Sequence, residues 1–275
     1  MKTVMKSLFA LLLLGGLPTL LFAQKIPCSK TCNNNIKHDF QSCIDGTITG
    51  GGDLEKMIFE MCCTSVKVSV KEEMDFGNDA MEETKKEYKF ITTGPQVAKL
   101  KTILNNLVSK IQKPQGFVFS VYLLDSDVLN AWTCGGKIYF TTEMIDFCKS
   151  DDEIACIMGH EISHNLLGHI NEKLRRFKAS ESFPILGQFA YTLASVLTTP
   201  FGQEDEAHCD LLGIDLARAA GYRGCEAIPL WNRMAEKSGE YDDVSNYFSS
   251  HPHPEKRVDC IAAHIKSTYS TQCAK

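Results

Sequence analysis

Apolar positions along this chain fall into three spacings, and each predicts a different element. In PQVAKLKTILNNLVSKIQK (95–113), Val97, Leu100, Ile103, Leu104, Leu107, Val108 and Ile111 recur every third or fourth position behind a proline in the first turn, which predicts an amphipathic helix. FVFSVYLLDS (117–126) alternates and is rich in aromatic and branched side chains, and KIYFTT (137–142) repeats that pattern after DVLNAWTCGG, so both predict strands. Helical spacing covers EEMDFGNDAMEETKKEYKFI and returns in SDDEIACIMGHEISHNLLGHINEKL, where Ser150 is a good N-cap and the acids after it suit the positive end of the helix dipole. One long helix is expected there, with further helices in EDEAHCDLLGIDLARAAGY (204–222), EAIPLWNRMAEK and PEKRVDCIAAHIK. The third spacing is an unbroken apolar run. FPILGQFAYTLASVLTTPF (183–201) contains Gln188, Tyr191, Thr192 and Ser195, which favour a packed helix over a membrane span.

The other unbroken run changes the expected compartment. MKTVMKSLFALLLLGGLPTLLFAQ has two lysines, an apolar stretch interrupted by Gly15, Gly16 and Pro18, and Ala23 before Gln24, which reads as a secretory signal peptide over residues 1–23. Secretion or delivery to a periplasm is the expectation, with no stable membrane insertion afterwards. All twelve cysteines lie beyond it, an even number that predicts disulfides in an oxidising compartment. Five of them (Cys28, Cys32, Cys43, Cys62 and Cys63) mark residues 24–70 as a cysteine-rich extension ahead of a single domain over 71–275. The net charge of −5 offers no basic face for phosphates, so nucleic acid is excluded as a partner.

The candidate chemistry sits in GHEISHNLLGH (159–169). A helix advances about 100° per residue, so His160 and His164 lie about 40° apart and about 6 Å along the axis, able to face one cation. With Glu161 beside the first, this is the HExxH arrangement, in which two histidines hold zinc and the glutamate is general base for the water that zinc activates. The extended form with a third histidine needs glycine at position 167 and histidine at 170; the chain has Leu167, Gly168, His169 and Ile170. On a continuous helix His169 points about 180° away from His160, which predicts a structural or surface role. A catalytic zinc wants a third protein ligand. In the 204–222 helix, Glu206 and Asp210 share a face with Gly213, Ile214, Ala217 and Ala220, a small apolar face able to press against the histidine helix. A carboxylate there needs a partner, so Glu206 is the expected third ligand and Asp210 the group that orients a ligand imidazole.

Together with these motifs, the run NAWTCGGKIYFTTEMIDFCKSDDEIACIMGHEISHNLLGH, followed by EAHCD and HPHPEKR, resembles the gluzincin metallopeptidases that include the CAAX prenyl proteases, the HtpX-type quality-control proteases and their soluble periplasmic relatives. The resemblance covers about residues 70–268. It implies an α+β fold, a mostly helical zincin-type domain with a small β-sheet edge over the HExxH helix, and one zinc per chain on His160, His164 and Glu206. It implies Glu161 as catalytic base, and His251 and Arg257 as groups that steady the oxyanion or touch substrate; His253 competes with His251 for that part. It makes Asn130, Gly136, Ile138 and Tyr139 the candidate substrate contacts, with the 137–142 strand offering its edge to an extended peptide. An endopeptidase acting on flexible or unfolded polypeptide is the expectation. The rivals are a non-proteolytic holdase with a closed metal site, in which a further donor such as His251 fills the open position, and a secreted binding module. The chain departs from the family pattern at Trp132, Cys134 and Cys209, where a disulfide could pin the cleft.

Overall fold

The computed structural model describes residues 66–112, 115–181, 200–237, 247–251 and 254–269. The expected leader, the cysteines at 28–63, the apolar segment 183–199 and His253 lie outside them. Among the described residues no helix is long and apolar enough to cross a membrane.

Helix α1 (Val70–Glu87) starts at a capping box, in which Ser69 Oγ accepts from the Glu72 amide and Glu72 returns a carboxylate to the Ser69 amide. Strand β1 (Lys89–Ile91) follows, where helix was expected. Helix α2 (Pro95–Val108) buries five of the seven stripe positions, Val97, Leu100, Ile103, Leu104 and Leu107; Val108 is half-buried, and Ile111, also half-buried, lies past the helix end. Strands β2 (Ser120–Asp125), β3 (Ala131–Cys134) and β4 (Lys137–Thr141) complete a sheet of order β1-β2-β4-β3, in which β2 and β4 run parallel and the other pairs antiparallel.

Sheet order corrects one expectation. Strand β4 is an inner strand, paired from Ser120↔Lys137 to Leu124↔Thr141 on one side and from Ala131↔Phe140 to Cys134↔Lys137 on the other. Its backbone has no edge to offer, and Ile138 and Tyr139 are buried, so neither can receive a peptide by strand addition. On that side of the sheet the edge belongs to β3, an element too short for its alternation to stand out among DVLNAWTCGG.

Val121, Leu123, Ile138 and Phe140 join the main core beneath the sheet. Across the other face Phe90, Tyr122, Tyr139 and Trp132 form a ladder of rings, with Tyr139 stacked on Tyr122 at 5.5 Å and on Trp132 at 5.1 Å. After a short helix α3 (Thr142–Phe147), α4 (Asp151–Leu166) runs buried over nearly its whole length, capped by Ser150 as its sequence predicts. The expected long helix is two: the chain breaks at Gly168, where φ is +79°, and resumes as α5 (His169–Glu181). Helices α6 (Gln203–Ala219), α7 (Ala227–Lys237), α8 (Tyr247–Ser250) and α9 (Pro254–Tyr269) close the core around α4.

Helices α4 and α6 meet backbone to backbone. A Cβ on Gly159 would stand 2.5 Å from the Gly213 carbonyl oxygen, and one on Gly213 would stand 2.5 Å from the His160 amide. Only glycine at both positions permits this approach, which carries the Glu206–Asp210 face onto the histidines. The sheet is tied to the same helix by Asn165, whose amide nitrogen donates to Thr133 Oγ1 at 2.7 Å and whose oxygen accepts from the Gly136 amide at 2.8 Å. Gly136 is therefore occupied in holding the hairpin to α4.

Candidate metal centre

The close seam brings four donors together. His160 Nε2 and His164 Nε2 stand 3.0 Å apart, and Glu206 places Oε2 3.5 Å from the first and Oε1 3.4 Å from the second. His251 Nδ1 lies 3.2 Å from His160 Nε2 and 3.0 Å from Glu206 Oε1. All four side chains are buried. Ligands about 2.0–2.1 Å from a tetrahedral zinc stand about 3.3 Å from one another, so these spacings suit that ion.

The donor chemistry agrees. His160 Nδ1 lies 2.9 Å from Asp210 Oδ1, which fixes the proton on Nδ1 and leaves Nε2 a lone pair. Burial holds His160, His164 and His251 below the ordinary imidazole range and therefore neutral, as ligation requires. For Glu206, burial pushes the carboxyl up, but with the Arg257 guanidinium paired to it at 2.8 Å it is held well below the ordinary range, so it is an anion. Two lone pairs facing each other at 3.0 Å beside an anion form a site that a divalent cation completes.

Arg257 occupies a different place from the one its expected part requires. Its Nε and Nη2 donate to Asp210 at 2.6 Å each, and Nη1 forms an ion pair with Glu206 Oε2 at 2.8 Å. The guanidinium, buried behind the donor cluster with Trp231 across its face at 5.1 Å, balances two carboxylates and fixes them. Asp210 is pushed up to about 6 by burial, with Arg257 pulling the other way.

Glu161 has the reverse surroundings. It is 1% exposed, and neither carboxylate oxygen has a hydrogen-bond partner. Burial, reinforced by the Glu206 charge, pushes its carboxyl well above the ordinary range. Opposite it, His251 Nε2 stands 3.6 Å from Oε1, with the imidazole stacked on Tyr247 at 4.3 Å.

Asn130 is half-buried and pairs its backbone with Thr141. Cys134 and Cys209, the positions where a disulfide could have pinned the cleft, are buried free thiols, as is Cys156, and Cys148 is a half-buried free thiol. Sequence reasoning missed Phe201, whose ring stacks on His164 at 3.8 Å, and Tyr247 under His251. It also misplaced His169, which is buried with Nδ1 3.1 Å from His164 Nδ1. The break at Gly168 turns it back, an event no helical projection contains.

Comparison with known proteins follows the same residues. The model of peptidase family M48 matches residues 95–265. The mitochondrial metalloendopeptidase OMA1 of Schizosaccharomyces pombe is 24% identical over 70% of this chain and 60% of its own length. The beta-barrel assembly-enhancing protease of Yersinia pestis is 22% identical over 70% of this chain and 43% of its own. The metalloprotease LoiP of Escherichia coli is 25% identical over 64% of this chain and 72% of its own. The chain thus spans less than two-thirds of the length of the first two.

Proposed function

The chain belongs to peptidase family M48, and on that premise we propose that it is a zinc-dependent endopeptidase that cleaves flexible or unfolded polypeptide. The observation that carries this reading is the pairing of a three-ligand cluster with a buried, unmatched Glu161. A site that only stores metal has no use for that base.

His160, His164 and Glu206 would hold zinc, which when bound would supply a Lewis acid for a scissile carbonyl and lower the pKa of a nearby water toward neutrality. Glu161, with both oxygens unengaged, takes the proton from the attacking water and passes it to the leaving amine. His251, across from Glu161, offers an N–H to the oxyanion. Asp210 and Arg257 act through the ligands: the first orients His160, the second balances the paired carboxylates. An extended substrate pairs with the edge of β3 beside the half-buried Trp132, which fits an unfolded chain better than a folded surface. The leader-like residues 1–23 and the cysteine-rich stretch that follows support an exported enzyme whose N-terminal cysteines form disulfides.

One observation favours a second reading. His251 Nδ1 lies among the ligand atoms, where it can fill the fourth position and close the site. The test is cleavage of a reduced, unfolded protein by the full chain, with Glu161→Gln and His251→Ala alongside at equal zinc content. Cleavage by wild type and none by Glu161→Gln supports the endopeptidase. An inert wild type with an active His251→Ala supports the closed site, and inertness in all three at full zinc content overturns the peptidase.

A further inference from the structure

His164 must present Nε2 as a lone pair to hold a cation, so its one proton sits on Nδ1 and needs an acceptor. The atom facing that proton is Nδ1 of His169, 3.1 Å away, with the two rings inclined at 70°. We infer that His169 is a positioning residue for the metal ligand His164, its Nδ1 accepting the His164 N–H and fixing the ligand's tautomer and ring orientation. The inference rests on the metallopeptidase reading above.

The proton positions follow in turn. If His169 accepts at Nδ1, its own proton is on Nε2, and that nitrogen faces Asp205 Oδ1 at 3.6 Å. Asp205 is held at the first turn of α6, where its other oxygen accepts from the Gly202 amide at 3.1 Å. The two ligand histidines are therefore steadied from two sides: His160 by Asp210, and His164 by His169 with Asp205 behind it. In the opposite assignment His169 donates to His164 Nδ1, which puts the proton of His164 on Nε2 and abolishes the ligand.

A rival use of the same atoms is a second metal site. Cys209 Sγ lies 3.4 Å from His169 Nδ1, and His164, His169 and Cys209 are close enough to share an ion. A cation there would have to strip the Nδ1 proton from His164 while its Nε2 already serves the first metal. The hydrogen-bonded arrangement needs no such bridging imidazolate.

Two polar replacements separate these ideas. Asparagine carries its side-chain oxygen where His169 has Nδ1, whereas glutamine carries it near the Nε2 position. The experiment measures zinc affinity of the full chain by competition with a chromogenic chelator, for wild type, His169→Asn, His169→Gln and Cys209→Ala, with thermal unfolding of each metal-free protein as the folding control. His169→Gln is expected to bind zinc about 10- to 100-fold more weakly, the size of effect that removing a ligand's outer partner has. His169→Asn and Cys209→Ala are expected to stay within a few-fold of wild type. Equal affinities for His169→Asn and His169→Gln overturn the inference, because the acceptor's place then does not matter. A Cys209→Ala loss matching that of His169→Gln overturns it in favour of the second metal site. A wild-type chain that binds no zinc overturns the underlying reading and this inference with it.

Discussion

The two flanks of the donor cluster follow opposite rules. On the α6–α9 flank, Asp210 and Glu206 are met by Arg257 at 2.6 to 2.8 Å, and His160 is held at 2.9 Å. On the other flank Glu161 is as deeply buried, yet both its oxygens lack a hydrogen-bond partner. Leaving a buried carboxylate unmatched costs stability, whereas a buried pair with good geometry limits that cost. Of the buried carboxylates in the cluster, the two beside Arg257 are matched and Glu161 is not. Unmatched burial at Glu161 fits the base proposed for it, and the paired carboxylates around Arg257 fit a supporting part.

Glu161→Gln is the sharpest way to break that contrast. It is expected to lower cleavage of an unfolded protein by about 10²- to 10⁴-fold, the usual worth of a positioned base. Zinc content should stay the same and the metal-free protein should become more stable at neutral pH, since an amide replaces a carboxyl that burial disfavours. A large loss of zinc or of stability would mean that Glu161 belongs to the supporting flank. Arg257→Met should do the reverse. Removing the guanidinium leaves Asp210 and Glu206 uncompensated, a loss of about 3–5 kcal/mol, read as a lower urea midpoint together with lost zinc. An Arg257→Met protein as stable as wild type would erase the distinction between the flanks.

Much of the supporting flank was legible in the chain because it depends on periodicity within single helices. The His160–His164 spacing and the shared face of Glu206, Asp210 and Gly213 needed only the helical repeat. Gly213 itself marked the close seam, and five of the seven stripe positions of α2 are buried as their spacing implied. What stayed hidden depends on breaks and on pairings between distant segments. His169 returns to the site only because the helix ends at Gly168, and β4 loses its edge only because β3, four residues long, pairs beside it. The place of Arg257 behind the donor cluster depends on how α9 crosses α6, which no single-element pattern encodes.

Glu73 sharpens the contrast from outside the site. Like Glu161 it is 1% exposed with one oxygen, Oε1, unmatched, but its Oε2 accepts from Asn171 at 3.0 Å. Burial pushes its carboxyl up to about 7, with the Asn171 bond pulling the other way. A raised folded-state value means the folded protein holds the proton more tightly than the unfolded chain. Stability from this group is therefore full below the unfolded value of 4.5 and is lost as pH rises through about 7. The loss is on the order of 3 kcal/mol. Urea unfolding from pH 4 to 8 should show this slope in wild type and a flatter profile in Glu73→Gln, with cleavage retained. If Glu73→Gln abolished cleavage without unfolding the chain, an unmatched carboxyl outside the donor cluster would also be serving the reaction.

The smallest expected effect tests the turn that returns His169 to the supporting side. Gly168 has φ +79°, and a Cβ there would meet nothing within 4 Å, so Gly168→Ala introduces backbone strain and no clash. The expected cost is about 1 kcal/mol, the penalty of a side chain in the left-handed region. A cost of that size with zinc affinity unchanged would show that packing among His164, His169 and Phe201 holds the turn against the strain. A drop in zinc affinity at the same small cost would show that His164 depends on the exact path of the turn, and would extend the supporting flank from α6 and α9 to the start of α5.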